Sequence, residues 1–412
     1  MRKPINWIIG LSLIAGLFSY SEAQAACSGS SPTWSSTIDQ ASIASCLSQS
    51  SAGDTINVSA GTASWSGGIS LNGRKLVGAG SSTSGSVVTA GLVTMTKHAS
   101  QYTKLNGFRF TGSDQHVVVN GDASQKVFII GDNYFNNSGG AFMHIGANGG
   151  LVYSNSFVAS PGHNADTFVV KPNESWASAL TMGNTDTTGE NNVYFEDNLW
   201  SGFLEISWDC DDGGRIVARH NTFRDSSVTA HGGGTGTSGN DSSLYGCRFM
   251  EIYDNVFDRV DNNLAINKWI WMRGGTGVIA NNQMDRADSP DGSTYPNKNE
   301  ILLTVGCPSS YPIGYQVGQS ATPADATPDR PLLIFGNTAG NTSNGPGDSN
   351  FIAFGDNPGG ACGSPSSYIQ SGRDYMPSNT WGWTAYAYPH PLRTSGSGNT
   401  TPPAAPANLR VN

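Results

Sequence analysis

One phrase recurs seven times between residues 133 and 337: a few β-branched or aromatic residues in alternation, then an Asn, usually with a large apolar residue two places on. The copies are 127–135 (VFIIGDNYF), 151–157 (LVYSNSF), 193–200 (VYFEDNLW), 216–223 (IVARHNTF), 250–257 (MEIYDNVF), 278–284 (VIANNQM) and 332–338 (LLIFGNT). Their Asn residues are 133, 155, 198, 221, 255, 282 and 337, separated by 22, 43, 23, 34, 27 and 55 positions. A repeat of 22 to 23 residues, lengthened in places by inserted loops, fits one turn of a solenoid. Asn suits such a turn because it tolerates the left-handed backbone of a sharp corner. Stacked about 4.8 Å apart, its side-chain amides can bond one another in a ladder.

Composition narrows the choice further. With 52 Gly, only 13% charged residues and no long run of 3.6-residue periodicity, the chain predicts little helix. The exception is residues 36–47, expected to form a short helix capping the first open turn. The formal net charge of −9 argues against nucleic acid or an anionic membrane as general partners. Arg2 and Lys3, an apolar run from Trp7 to Phe18 and the small-residue site Ala23-Gln24-Ala25 read as a secretory signal over residues 1–25. A lipid anchor at Cys27 is disfavoured by Gln24, where that signal needs an aliphatic residue. Six Cys in an exported chain point to disulfides, with Cys27–Cys46, Cys210–Cys247 and Cys307–Cys362 as the pairs most easily closed.

Residues 54–61 (DTINVSAG) and 75–80 (KLVGAG) resemble the opening rungs of the pectate-lyase-like right-handed parallel β-helix superfamily. Residues 211–223 (DDGGRIVARHNTF), 230–232 (AHG), 273–279 (RGGTGVI) and 386–392 (YAYPHPL) are similar to secreted bacterial β-helix proteins of undefined activity. The resemblance covers nearly all of residues 27–393. It implies an all-β chain, a single-stranded right-handed parallel β-helix with an N-terminal cap helix and a loop-rich C-terminal cap. That domain is expected over residues 26–393. Residues 394–412, rich in Pro, Thr and Ser and partly similar to the start of a fibronectin type III module, are expected to be a flexible tail.

The repeat also assigns faces. The third residue before each Asn (Ile130, Val152, Phe195, Ala218, Ile252, Ile279, Ile334) forms an inward stack, so the residue two before it points outward. That outward row reads Gly131, Tyr153, Glu196, Arg219, Tyr253, Ala280 and Phe335, a stripe of rings and charges on which sugars could stack and bond. His220 is expected to face inward as a buried structural residue. Trp269 and Trp271, beside Lys268, form a second aromatic and cationic candidate for carbohydrate.

Chemistry concentrates between Asp209 and His231. Asp209, Asp211 and Asp212 repel one another unless a cation sits among them, and calcium accepts hard oxygen ligands in flexible geometry. Lyases of the resembled superfamily remove the proton α to a uronate carboxylate and expel the 4-linked sugar, which requires charge neutralisation and a base. The resemblance therefore implies an acidic, uronate-containing polysaccharide as substrate. It makes Arg219 or Lys268 the base, with Arg215, His231 or Arg273 holding substrate or protonating the leaving oxygen. One groove joining the acidic loop to the Arg219 row is expected, on a monomer. Two other readings stand beside this one: a non-catalytic glycan-binding or matrix protein, and a polygalacturonase-type hydrolase using Asp186, Asp211 and Asp212 with His231.

Overall fold

The computed structural model describes residues 26–393, except 113–114, 123, 138–141, 164–167, 173–184, 204–207, 231–245, 259, 261–267, 286–298, 306–316, 319–329, 341–350 and 357–368. The expected signal and tail, His231, Cys307 and Cys362 lie outside these residues.

The described chain is almost entirely β and builds three long sheets of 13, 10 and 10 strands. Successive strands visit the first, second and third sheet in turn and then return to the first. One such cycle runs through Arg215–Arg219, Thr222–Arg224 and Val228–Ala230 before Phe249–Tyr253 rejoins the first sheet beside Arg215–Arg219. All strand pairs within the three sheets are parallel except the first, Cys27–Ser30 with Thr33–Ser36. The parallel pairing continues past residue 340, to Ile352–Asp356 in the third sheet and Tyr375–Met376 in the first.

The N-terminal end is closed by an α-helix, Gln40–Gln49, a few residues later than expected because Asp39 supplies the cap. Its carboxylate accepts from Ser42 N at 2.9 Å, satisfying an amide that the first helical turn leaves bare. Cys46 of this helix is bonded to Cys27, stapling the cap to the first strand, and a second disulfide joins Cys210 to Cys247. Among the described residues no helix is long and apolar enough to cross a membrane.

At the corner between the first and second sheets the seven Asn residues stack as a continuous ladder. Each Nδ2 donates to the Oδ1 of the next: 133 to 155, 155 to 198, 198 to 221 and 221 to 255 at 3.0 Å, then 255 to 282 and 282 to 337 at 2.9 Å. The same Oδ1 also accepts the backbone N–H of the preceding Asn, and each Nδ2 also donates to a main-chain carbonyl such as Phe195 O or Ala218 O. Every amide is buried and saturated, so a polar column runs through the corner at no desolvation penalty. The left-handed backbone, however, belongs to the residue before each Asn. Asp132, Ser154, Asp197, His220, Asp254 and Asn281 have φ between 51° and 55°, and Gly336 has 67°. That residue turns the chain, which frees the Asn to point inward.

The register matches the repeat. Ile130, Val152, Phe195, Ala218, Ile252, Ile279 and Ile334 are paired in sequence across the first sheet and belong to the main core. The residue two places after each of the first five Asn residues enters the second sheet as an inward ring, and Met284 follows Asn282 in the same core. Phe110, Phe135, Phe157, Trp200, Phe223 and Phe257 stack face to face, with neighbouring centroids 4.1 to 6.1 Å apart.

Asn221→Ala should remove the acceptor for both Asn198 N and Asn198 Nδ2 and the donor to Phe195 O and Asn255 Oδ1. A loss of stability on the order of 3 kcal/mol is expected in denaturant unfolding, without a change in the disulfides.

Candidate functional site

Two outward faces carry the residues that sequence singled out, and they lie on different sheets. On the first sheet, Tyr153, Glu196, Arg219 and Tyr253 stand side by side in register on consecutive strands, as the repeat predicts. They are not open to solvent. Residues 376–393 lie across them as a strap, and both Glu196 and Arg219 are 0% exposed.

The strap is held by polar and apolar contacts together. Arg219 donates to Glu196 at 2.7 and 2.9 Å, to the Tyr253 hydroxyl at 3.0 Å, and to the main-chain carbonyls of Tyr386 and Ala387 at 2.7 and 2.8 Å. Glu196 also accepts from His390 N and Arg393, while Arg393 reaches on to Asp197 and Ser154. Burial works against the Arg219 charge, but the neighbouring Tyr253 and Glu196 oxygens outweigh it and raise its pKa further. Beneath the strap lies a second apolar cluster, outside the sheet rather than within the coil, in which Trp381, Trp383, Tyr386 and Leu392 cover Tyr194, Val217, Val278 and Leu333. Gly189 has φ +74° and turns under the Tyr386 ring, where a Cβ would collide with that ring.

Three expectations change here. The outward row is an intramolecular interface, not an open groove, because its rings and charges bind the chain's own C-terminal segment. Arg215 is also buried on the first sheet, its Nε donating to Asn192 Oδ1 at 2.8 Å and its guanidinium 5.0 Å from the Phe249 ring. His220 does not face inward: it occupies the left-handed corner, half-buried, with its ring 3.6 Å from that of Tyr388.

The third sheet holds the other group. In register across its strands, positions 144, 169, 209, 229, 271 and 302 are paired in that order, with Asp209 and Thr229 buried, so His144 and Trp271 are four rungs, about 19 Å, apart. Lys268 Nζ lies 4.1 Å from the Trp271 ring and the Arg273 guanidinium 5.0 Å, bracketing an aromatic platform with two cations. Trp271 is half-buried and its Nε1 donates to Thr304 Oγ1 at 3.0 Å. Trp269, by contrast, is a core residue packed against Phe257, its Nε1 donating to the Asp285 carbonyl. Thus the acidic loop and Arg219 do not share one groove.

Asp211 and Asp212 sit in the turn leading from the third sheet back to the first. Lys171, one rung away, bridges them, its ammonium 3.1 Å from Asp211 and 3.3 Å from Asp212. Burial opposes its charge, but the two carboxylates overcome this and hold the Lys171 pKa above its ordinary value. That stabilisation is complete below the usual lysine range and is lost as pH rises through the elevated value. The positive charge sought among these acids is therefore a lysine. Among the described residues no three His, Cys, Asp or Glu side chains group so as to hold a metal ion. Nearby His144 has its pKa lowered by burial and by Lys171, so it is neutral at pH 7.

Asp186, a carboxylate of the hydrolase reading, is consumed structurally. It accepts from Thr188, Gly189, Asn191 and Asn192 main-chain N–H groups and from the Tyr194 hydroxyl. Lys171, His144 and Thr229 escaped notice in the sequence, because none lies in the Asn repeat. Counting rows along the third sheet from Val228–Ala230 would have found them. No family model, curated protein or solved structure matches the chain.

Arg219→Ala should leave the Glu196 carboxylate buried without its guanidinium. The expected cost is about 3 to 5 kcal/mol in denaturant unfolding, with new protease cleavage within residues 376–393.

Proposed function

We propose that this chain is an exported carbohydrate-active protein whose outer third-sheet face binds an acidic polysaccharide running across the rungs. The observation that carries this reading is the half-buried Trp271 ring with the Lys268 and Arg273 cations, each 8% exposed, over it. A sugar ring stacks on an indole face, and the flanking cations bond a uronate carboxylate. The three parallel sheets are read as one right-handed parallel β-helix of the pectate-lyase-like type. Successive parallel strands in each sheet support this, since crossover connections between parallel strands are right-handed.

If the protein cleaves, the reaction is β-elimination. Lys268 or Arg273, not Arg219, takes the proton α to the carboxylate, and the companion cation neutralises the developing charge. No calcium bridge at Asp211 and Asp212 is part of this reading, because Lys171 already pairs with both.

The test is a screen of uronate polysaccharides for binding and for unsaturated products absorbing in the ultraviolet, with and without chelator. Trp271→Ala is expected to weaken binding at least tenfold while Arg219→Ala, where folded, leaves it unchanged. Binding without any unsaturated or reducing ends would make this a glycan-binding protein instead. Absence of binding to every acidic glycan would overturn the reading.

A further inference from the structure

We propose that residues 376–393 form a proton-gated strap, closed over the first sheet while the Glu251 carboxyl is protonated and loosened when it ionises. Glu251 points outward from Phe249–Tyr253, flanked in register by Val217 and Val278, within the apolar layer between sheet and strap. It is 1% exposed, and its Oε1 has no hydrogen-bond partner. Trp383 of the strap turns its Nε1 toward the carboxyl and favours the charged form, but not in the geometry of a formed hydrogen bond, so it offsets burial only in part. A dry carboxyl with an unpartnered oxygen is tolerable when neutral and costly when charged.

The groups facing Glu251 do not restore that balance. Arg215 and Arg219 on its own sheet favour ionisation, but Arg219 is held by Glu196 and Arg215 is bonded to Asn192. Asp186, from the turn before Val193–Glu196, opposes it, and the neighbouring Tyr194 and Tyr253 hydroxyls carry no charge at neutral pH. Burial is the largest influence and pushes the Glu251 carboxyl up to about 7 from the ordinary 4.5.

The sign follows from linkage. The closed state holds the proton more tightly than the open one, so its advantage is complete below about 4.5 and is lost as pH rises through 7. Over that interval the closed-to-open ratio should fall on the order of a hundredfold from Glu251 alone. His390 under the same strap acts in the opposite sense, because burial lowers its pKa and closure prefers the neutral ring. The wild type by itself therefore shows a muted response, and the Glu251 contribution must be isolated by comparison. Opening would uncover the Tyr153, Glu196, Arg219 and Tyr253 row.

Hydrogen exchange on the full chain, corrected for intrinsic rates, would be followed from pH 5 to 9 in the wild type, Glu251→Gln and Glu251→Leu. Protection would be read in residues 376–393 and, as a control, in Val193–Glu196. The wild-type-to-variant ratio of strap protection should fall nearly tenfold per pH unit between about 5 and 7 and then level off, whatever the baseline stability of each variant. A ratio that does not vary with pH would sink the proposal. So would an equal change in Val193–Glu196, because the proton would then be coupled to global unfolding.

Discussion

The Asn ladder is the interaction on which the other rows depend. In each rung an Asn amide uses both its donors and both its acceptor sites inside the corner, so slipping one rung by a residue would strand buried amide groups along the column. The ladder thereby locks the register of the first and second sheets together. With that register fixed, Ile130, Val152 and Phe195 face inward, the ring column from Phe110 to Phe257 stacks, and Glu196 meets Arg219. The corner divides two tasks between adjacent residues: one adopts positive φ, the next makes the ladder.

Three parallel sheets have outward faces as well as a core, and on the first of them the outward face is covered. The first sheet carries so many apolar side chains outward, among them Leu151, Tyr194, Val217 and Leu333, that it needs a cover. The strap supplies it, and the buried Arg219–Glu196 pair fixes where the strap sits. Such a pair contributes little net stability, since removing two charges from water offsets their attraction. Its use here is positional, because Arg219 bonds the carbonyls of two successive strap residues and Glu196 bonds the amide of a third. On the third sheet His144, Lys171 and Trp271 are half-buried, whereas Asp209 and Thr229 in the same register are buried.

Much of this was legible in the chain. The Asn spacing implied a coil with 22-to-23-residue turns, alternation around each Asn assigned inward and outward rows, and two Cys pairs closed as expected. The reading of the first-sheet row changed for one reason. Outward was equated with exposed, which holds for an isolated sheet but not when a segment 160 or more residues away folds back over it, as Tyr386 and Ala387 do over Arg219. Lys171 was missed for the same reason: it lies 40 positions before Asp211 yet only one rung away.

The sequence by itself determined the repeat, the corner, the core rows and the order in which side chains stack along each sheet. These follow from local periodicity and from the requirement that a buried amide be bonded, both of which act within or between neighbouring turns. Only the tertiary structure decided that the first-sheet row is covered, that Lys171 pairs with Asp211 and Asp212, and that Glu251 lies buried beneath the strap. Those outcomes depend on contacts between residues far apart in the chain, whose pairing no local pattern records.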